Sequence, residues 1–368
     1  MRIIGDIGNY CLTSEGLKEG PCPYDELQVP SLGYGSFEFV YGPSAGGLLE
    51  STAFIISTYG EDIEAVKNAG YKLRQIKVTN MPLNESIIRV ERINANFAAS
   101  HTISLLSAIE KATETEVPQK VIEARIAQLE LERIRNHLLV IQRELETASF
   151  LVPNYLLLQQ IEETNRAISK SCGHRYFFGA NSLGEIRCEL VLPRLKLKEI
   201  NDILENRIFI DRLQGNGKII ESYAIGPAAR AAGLEYDARL EVEELGYKDL
   251  DLKLVKEEEG DAFARILVRL REIEESYRLL QEIKVSPVKY EVKSKDGCAI
   301  GRVESPSGDL AYYLKMRSGV IEQVHLLPPS KINMRLFLKS MPGNIFTDFA
   351  FNWESFGIWL SEIEVDLK

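Results

Sequence analysis

Cysteine, histidine and tryptophan are scarce in this 368-residue chain, at five, four and two residues. The cysteines (Cys11, Cys22, Cys172, Cys188 and Cys298) form no CxxC pair and are odd in number. A disulfide framework or a four-cysteine zinc site is therefore not expected, and Cys11 and Cys22 read as small buried hydrophobes ahead of distant metal ligands. No apolar run approaches the roughly 18–20 residues needed to span a bilayer. Basic residues are outnumbered, 44 against 54, giving a net charge of −10. Nucleic acid is excluded as a partner on that balance, because its recognition needs a basic face. The first residues, MRIIGDIGNY, lack the basic start and apolar core of a secretory signal. A soluble, cytoplasmic chain is the expectation. No internal repeat or low-complexity tract interrupts it.

What is present is periodicity. Ala124, Ala127, Leu131, Ile134, Leu138, Ile141 and Leu145 recur at steps of three and four, a single apolar stripe on a long helix. Pro118 suits its first turn, and Glu130, Glu132, Arg133, Arg135, Arg143 and Glu144 fill the remaining faces with mixed charge. Helices are predicted over 85–113, 118–148, 153–170, 191–212 and 261–283, with the second as the post of a bundle. Alternation predicts strands in SFEFVYG, STAFIISTYG and YKLRQIKV, and others in the final third around RVESPSGDLAYYLKM. The fold class is α+β: a long-helix bundle with peripheral, mostly antiparallel β segments from both chain ends. Residues 1–33 hold one short strand, RIIG, and a Pro/Gly-rich stretch read as an exposed N-terminal extension; residues 34–368 read as one domain.

Several separated motifs carry a family signal: Gly42-Pro43 with Gly47 and Glu50, Glu91-Arg92-Ile93, Ser100-His101-Thr102, AIEK, LELERIRNHL, GPAARAAGLEYDAR, and the closing SFGIWLSEIEVD. Together, over roughly residues 35–366, they resemble the large subunit of nickel–iron hydrogenases and the related quinone-site subunit of respiratory complex I. Among the hydrogenases they are closest to the membrane-bound group 4 enzymes. In hydrogenases two CxxC pairs bind the metal centre. The matching positions here are Asn94, Phe97, Trp359 and Glu362, and Ser307 stands where an arginine lies over the iron ligands. In the complex I branch a tyrosine reaches the quinone head near the position held here by Ala95, and the loop at 42–50 carries histidines that this chain lacks. The closing segment is more like complex I.

The resemblance implies a core large subunit of a membrane-associated oxidoreductase complex, peripheral on the inner face of the cell membrane through its partners. Those partners are an iron–sulfur small subunit and membrane-embedded subunits. No cofactor is expected on this chain itself, and no metal, because nickel needs soft thiolate ligands; the clusters belong to the small subunit, and a quinone-like acceptor is the implied oxidant. Phe97, Trp359 and Asn94 are the candidates for lining its cavity. Glu50, His101 and Glu362 are the candidate proton route, with Arg230 setting its charge. Against this stands a non-catalytic scaffold that keeps only the fold. In that reading Phe97 and Trp359 are core aromatics filling a vacated metal cavity, His101 makes a packing hydrogen bond, Glu50 is a polar residue at a strand start, and Glu91 pairs with Arg230.

Overall fold

The computed structural model describes residues 2–27, 33–44, 50–70, 73–202 and 206–368. Strands β1 (Ile3–Ile7), β2 (Tyr10–Thr13) and β3 (Gly16–Glu19) form an antiparallel meander. A second antiparallel sheet follows: β4 (Ser36–Tyr41), β5 (Phe54–Tyr59) and β6 (Asp62–Asn68). After β7 (Arg74–Ile76) come helices α1 (Leu83–Val90), α2 (Ala98–Ala112), α3 (Gln119–Thr147) and α4 (Leu151–Cys172). The middle of the chain is made of short pieces: β8 (Asn181–Ser182), β9 (Glu185–Ile186), α5 (Leu197–Asp202), α6 (Arg207–Leu213), α7 (Gly226–Ala231) and α8 (Ala238–Glu241). The long helix α9 (Ala262–Glu282) then leads through β10 (Val288–Lys289) to an antiparallel sheet of β11 (Gly297–Ser305), β12 (Gly308–Arg317) and β13 (Val320–Leu327). Helices α10 (Pro329–Ser340), α11 (Phe349–Phe356) and α12 (Leu360–Ile363) close the chain with β14 (Val365–Leu367), which pairs in parallel with β7. This is the α+β arrangement anticipated, with strands from both ends.

The post is α3. It packs against α2, α4, α9 and α11, and its apolar stripe is buried along its whole length. Glu130, Glu132, Arg133, Arg135 and Glu144 are buried as well, because neighbours cover the helix on every side. Most of these charges are held by partners, as burial requires. Two expected helices are interrupted. The span 85–113 breaks at residues 91–97, where Arg135 of α3 donates to the carbonyls of Ala95 (3.4 Å) and Asn96 (2.6 Å). Glu132 then receives the N–H groups that open α2, Ala99 at 2.8 Å and Ser100 at 2.9 Å. In the span 191–212 helix begins only at Leu197, after Pro193, and Asn206 caps a separate α6 by accepting from Ile208 and Phe209 N–H.

The first residues are not an exposed extension. Ile4, Ile7 and Leu12 are buried in a second core with Phe54, Phe337, Phe349 and Trp353, whose rings meet edge to face at 5.1–5.8 Å. Cys11 bonds to Cys22 and Cys172 to Cys188 as disulfides, against the expectation of small buried thiols. Separations of 11 and 16 residues give no motif; only the folded chain brings these sulfurs together. Cys298 is free and exposed.

The sheet β11–β13 lies on α2, and the approach is close enough to dictate sequence. A Cβ at Gly301 would sit 2.0 Å from the Ser104 carbonyl oxygen, and one at Gly297 2.4 Å from that of Ala112. The Ser104 hydroxyl donates to the Gly301 carbonyl at 3.0 Å. Gly301→Ala should therefore lower unfolding stability by about 1–3 kcal/mol, read from a shift in urea midpoint at unchanged slope. Gly319→Ala is the contrast for contact, having nothing within 4 Å of the added carbon, although its φ of 77° adds backbone strain of its own.

Candidate functional site

The segments ending at Glu50, around 91–101 and around 355–366 meet, though they lie far apart in sequence. Residues 45–49, Gly47 among them, fall outside the described residues. Glu362 is the meeting point. Its Oε1 accepts from Asn94 Nδ2 and from His101 Nε2, each at 3.2 Å, and its Oε2 accepts from the Ser330 hydroxyl at 2.6 Å. The other nitrogen of His101, Nδ1, is 2.8 Å from the Tyr312 hydroxyl. Burial pushes that phenol well above its ordinary range, and the Glu362 charge adds to the effect, so Tyr312 stays a neutral donor. A neutral hydroxyl also accepts, so the proton on His101 can sit on either ring nitrogen, facing Glu362 from Nε2 or Tyr312 from Nδ1. All five side chains are buried. Glu50 joins from the bend ahead of β5: its Oε2 accepts the Leu360 N–H at 2.5 Å. Burial raises its pKa, with Leu360 and Arg143 opposing and Glu362 reinforcing the shift.

The four positions that the sequence resemblance assigns to metal thiolates do converge. Asn94 bonds to Glu362, and Phe97 meets Trp359 edge to face, ring centroids 6.1 Å apart. Both rings are buried. Arg143 lies 4.4 Å above the Trp359 ring and places Nη1 3.4 Å from Glu354. On its far side a cavity of about 630 Å³ opens, lined by Tyr41, Arg143, Glu146, Phe349, Phe351 and Glu354. The whole corner is laced together by Arg74, whose Nη2 donates to the Ile93 carbonyl at 3.0 Å and the Ser361 carbonyl at 2.6 Å. Ser307 donates to the Gly357 carbonyl at 2.7 Å, just before α12.

Arg230 is elsewhere. Its guanidinium bonds to Glu272 (2.5 Å) and Glu304 (2.9 Å) and pairs with Asp237 at 3.0 Å. Arg239 and Arg133 extend that lattice to Glu130. Glu91 does not pair with Arg230; it accepts from Gly179 N–H at 2.9 Å and from its neighbour Arg92 at 3.5 Å. Burial alone would raise Asp237 and Glu272, yet the arginines outweigh it, holding Asp237 at about 2 and Glu272 well below the carboxylate range. Burial takes His137 down to about 3 despite its 2.7 Å bond to Glu272. It is a neutral imidazole accepting from Arg269 at Nδ1, 3.2 Å away. These groups brace the bundle, and Arg230 belongs with them rather than with Glu362.

Tyr312, Ser330 and Glu354 were not among the sequence candidates. Tyr312 had a signal, since Leu310, Tyr312 and Leu314 alternate onto the buried face of β12. Glu354 is a lone charge in the aromatic run FAFNWESF. Ser330 had none.

Known proteins resemble this chain to differing extents. Residues 184–287 match the family described as respiratory-chain NADH dehydrogenase, 49 Kd subunit. The membrane-bound hydrogenase subunit alpha of Pyrococcus furiosus is 30% identical over 358 residues, covering 84% of this chain and 83% of its own length. The NADH-quinone oxidoreductase D 1 subunit of Chloroherpeton thalassium is 27% identical over 361 residues, 83% of this chain and 81% of its own. In fold, a chain from the structure of the membrane-bound sulfane sulfur reductase, an archaeal respiratory membrane complex, superposes with a TM-score of 0.81 at 22% identity, covering 91% of this chain and 100% of that one.

Arg230→Gln strands three buried carboxylates and should cost about 3–5 kcal/mol of stability. Arg175→Gln, which removes an exposed pair with Glu162, should cost about 1 kcal/mol or less. Urea unfolding of the two variants side by side checks the contrast.

Proposed function

The chain belongs to the family of the membrane-bound hydrogenase alpha subunit and the NADH-quinone oxidoreductase D subunits, and from that premise we propose that it is the core large subunit of a membrane-associated redox complex. Its relatives are named for such complexes. No helix among the described residues is long and apolar enough to cross a membrane; the proposed association runs through membrane-embedded partners, beside a small subunit that carries iron–sulfur clusters. The acceptor in this reading is quinone-like.

A nickel–iron centre does not fit the residues present. An amide, two aromatic rings and a carboxylate occupy the four places, and nickel held with iron needs thiolates. No step is assigned to such a centre. Elemental analysis of the purified chain should return nickel far below one atom per chain.

What this chain contributes is a path for protons. One observation supports it above the rest: Glu362 is bonded to an amide, an imidazole and a hydroxyl, with no arginine in hydrogen-bond reach among the described residues. The bracing carboxylates Glu130, Asp237 and Glu272 are all locked to arginines, which fixes them as anions. Glu362 and Glu50 are free of that lock. In the forward direction Glu50 protonates Glu362, and Glu362 then protonates His101 at Nε2, the nitrogen left bare when the ring proton sits on Nδ1 toward Tyr312, so that the imidazolium forms beside the Glu362 carboxylate. The packing of Phe97 on Trp359 favours a second reading, a scaffold in which nothing is turned over.

The two readings part on Glu362→Gln and Glu50→Gln, which preserve shape and remove the exchangeable proton. In the assembled complex each should slow acceptor reduction or its coupled proton uptake by about 10²–10⁴-fold, with the small subunit still bound. Wild-type turnover in the double variant leaves the scaffold.

A further inference from the structure

The path just described needs a point where protons enter. Glu354 lies at the floor of the 630 Å³ cavity with 3% of its surface exposed. Its Oε2 is 3.4 Å from Arg143 Nη1, while its Oε1 has no hydrogen-bond partner among the described residues. Behind it, Glu144 of α3 is completely buried, and neither carboxyl oxygen has a partner among those residues. Arg265 Nη2 and both polar side-chain atoms of Asn352 are likewise unpartnered where α3, α9 and α11 pack together. Buried polar groups without partners are costly, and a carboxylate so placed relieves the cost by taking a proton.

We propose that Glu354 is the proton-loading residue of this chain, taking a proton from water in the cavity and passing it to Glu50, from which it reaches Glu362 and His101. The inference rests on the proton path proposed above and supplies its entrance. The transfer balances simply: hydronium gives its proton to the Glu354 carboxylate and leaves water, and the neutral Glu354 then protonates the Glu50 carboxylate and is itself restored. Glu144 takes no part in the transfer. It stays protonated, so its neutral carboxyl adds no second negative charge beside Glu354.

The charges around the pair agree with these roles. Burial pushes Glu354 up to about 7, with Arg143 opposing and Glu50 and Glu146 reinforcing. Burial raises Glu144 well above the carboxylate range; Glu354 adds to this, and Arg265 and Arg269 from α9 do not offset it. From α6, Arg212 also lines the cavity, where it pairs with Asp348 at 3.0 Å. Glu354 is thus poised to gain and lose a proton near neutrality, whereas Glu144 is not.

Infrared titration of the full chain reads the loading step without turnover. A protonated-carboxyl band that disappears as pH rises through about 7, and that is missing in Glu354→Gln, is the expected result; the same band persisting in Glu354→Gln overturns the proposal. In the assembled complex, Glu354→Gln should slow acceptor reduction on the order of 10²-fold and abolish the fall in rate through that pH. Glu354→Asp should restore part of both signals, and Glu144→Gln, which mimics the protonated acid, should leave both in place. If Glu362→Gln is slow while Glu354→Gln keeps the wild-type rate and pH profile, the entrance lies elsewhere and this inference falls while the path stands. If Glu362→Gln turns over normally, the path itself falls, and the infrared band alone decides whether Glu354 loads a proton.

Discussion

Everything in this molecule depends on how charge is kept inside the bundle. The middle of helix α3 is covered on all sides, so Glu130, Glu132, Arg133 and Arg135 have no water to turn to and find partners in one another or in neighbours that include α2, α8, α9 and β11. Each buried ion is expensive to desolvate, and the lattice persists because its pairs are short and shared among several partners. That lattice sets how α3 and α9 pack, and α3 in turn shapes the loop at 91–97 through Arg135 and the start of α2 through Glu132. The site is built on that loop.

Against this background the corner around Glu362 is chemically different. Its hydrogen bonds come from groups that donate or accept without fixing a charge, and one of them, His101, is itself able to carry a proton. Two kinds of buried carboxylate therefore coexist in one protein. Glu130, Asp237 and Glu272 are held as anions by arginines, while Glu362 is held by amide, imidazole and hydroxyl groups and Glu50 by a backbone N–H.

Much of this was legible in the sequence, for physical reasons that can be named. The stripe on α3 is a one-dimensional pattern, and the packing it implies followed. The convergence of Asn94 with Glu362 and of Phe97 with Trp359 was legible through the spacing of the family motifs. What did not show was tertiary. The break at 91–97 comes from Arg135, forty residues onward, and no local propensity encodes it. The burial of Glu130 and Arg133 could not be read from the stripe, because a helix covered on all sides and one half exposed can share the same periodicity. Glu91 with Arg230 was a reasonable pair of opposite charges, but Arg230 faces three acids of its own. The meander at the chain start was hidden by glycine and proline, which mark turns between strands as readily as they mark a loop.

The pairing of β14 with β7 has a consequence in time as well as in space. Arg74 at the start of β7 grips both the Ile93 and the Ser361 carbonyls. The cage around Glu362 is thus closed by residues that leave the ribosome long after the helices they lock. Until they emerge, Asn94, His101 and Tyr312 have no carboxylate to surround. The site can be completed only once α12 and β14 have been made.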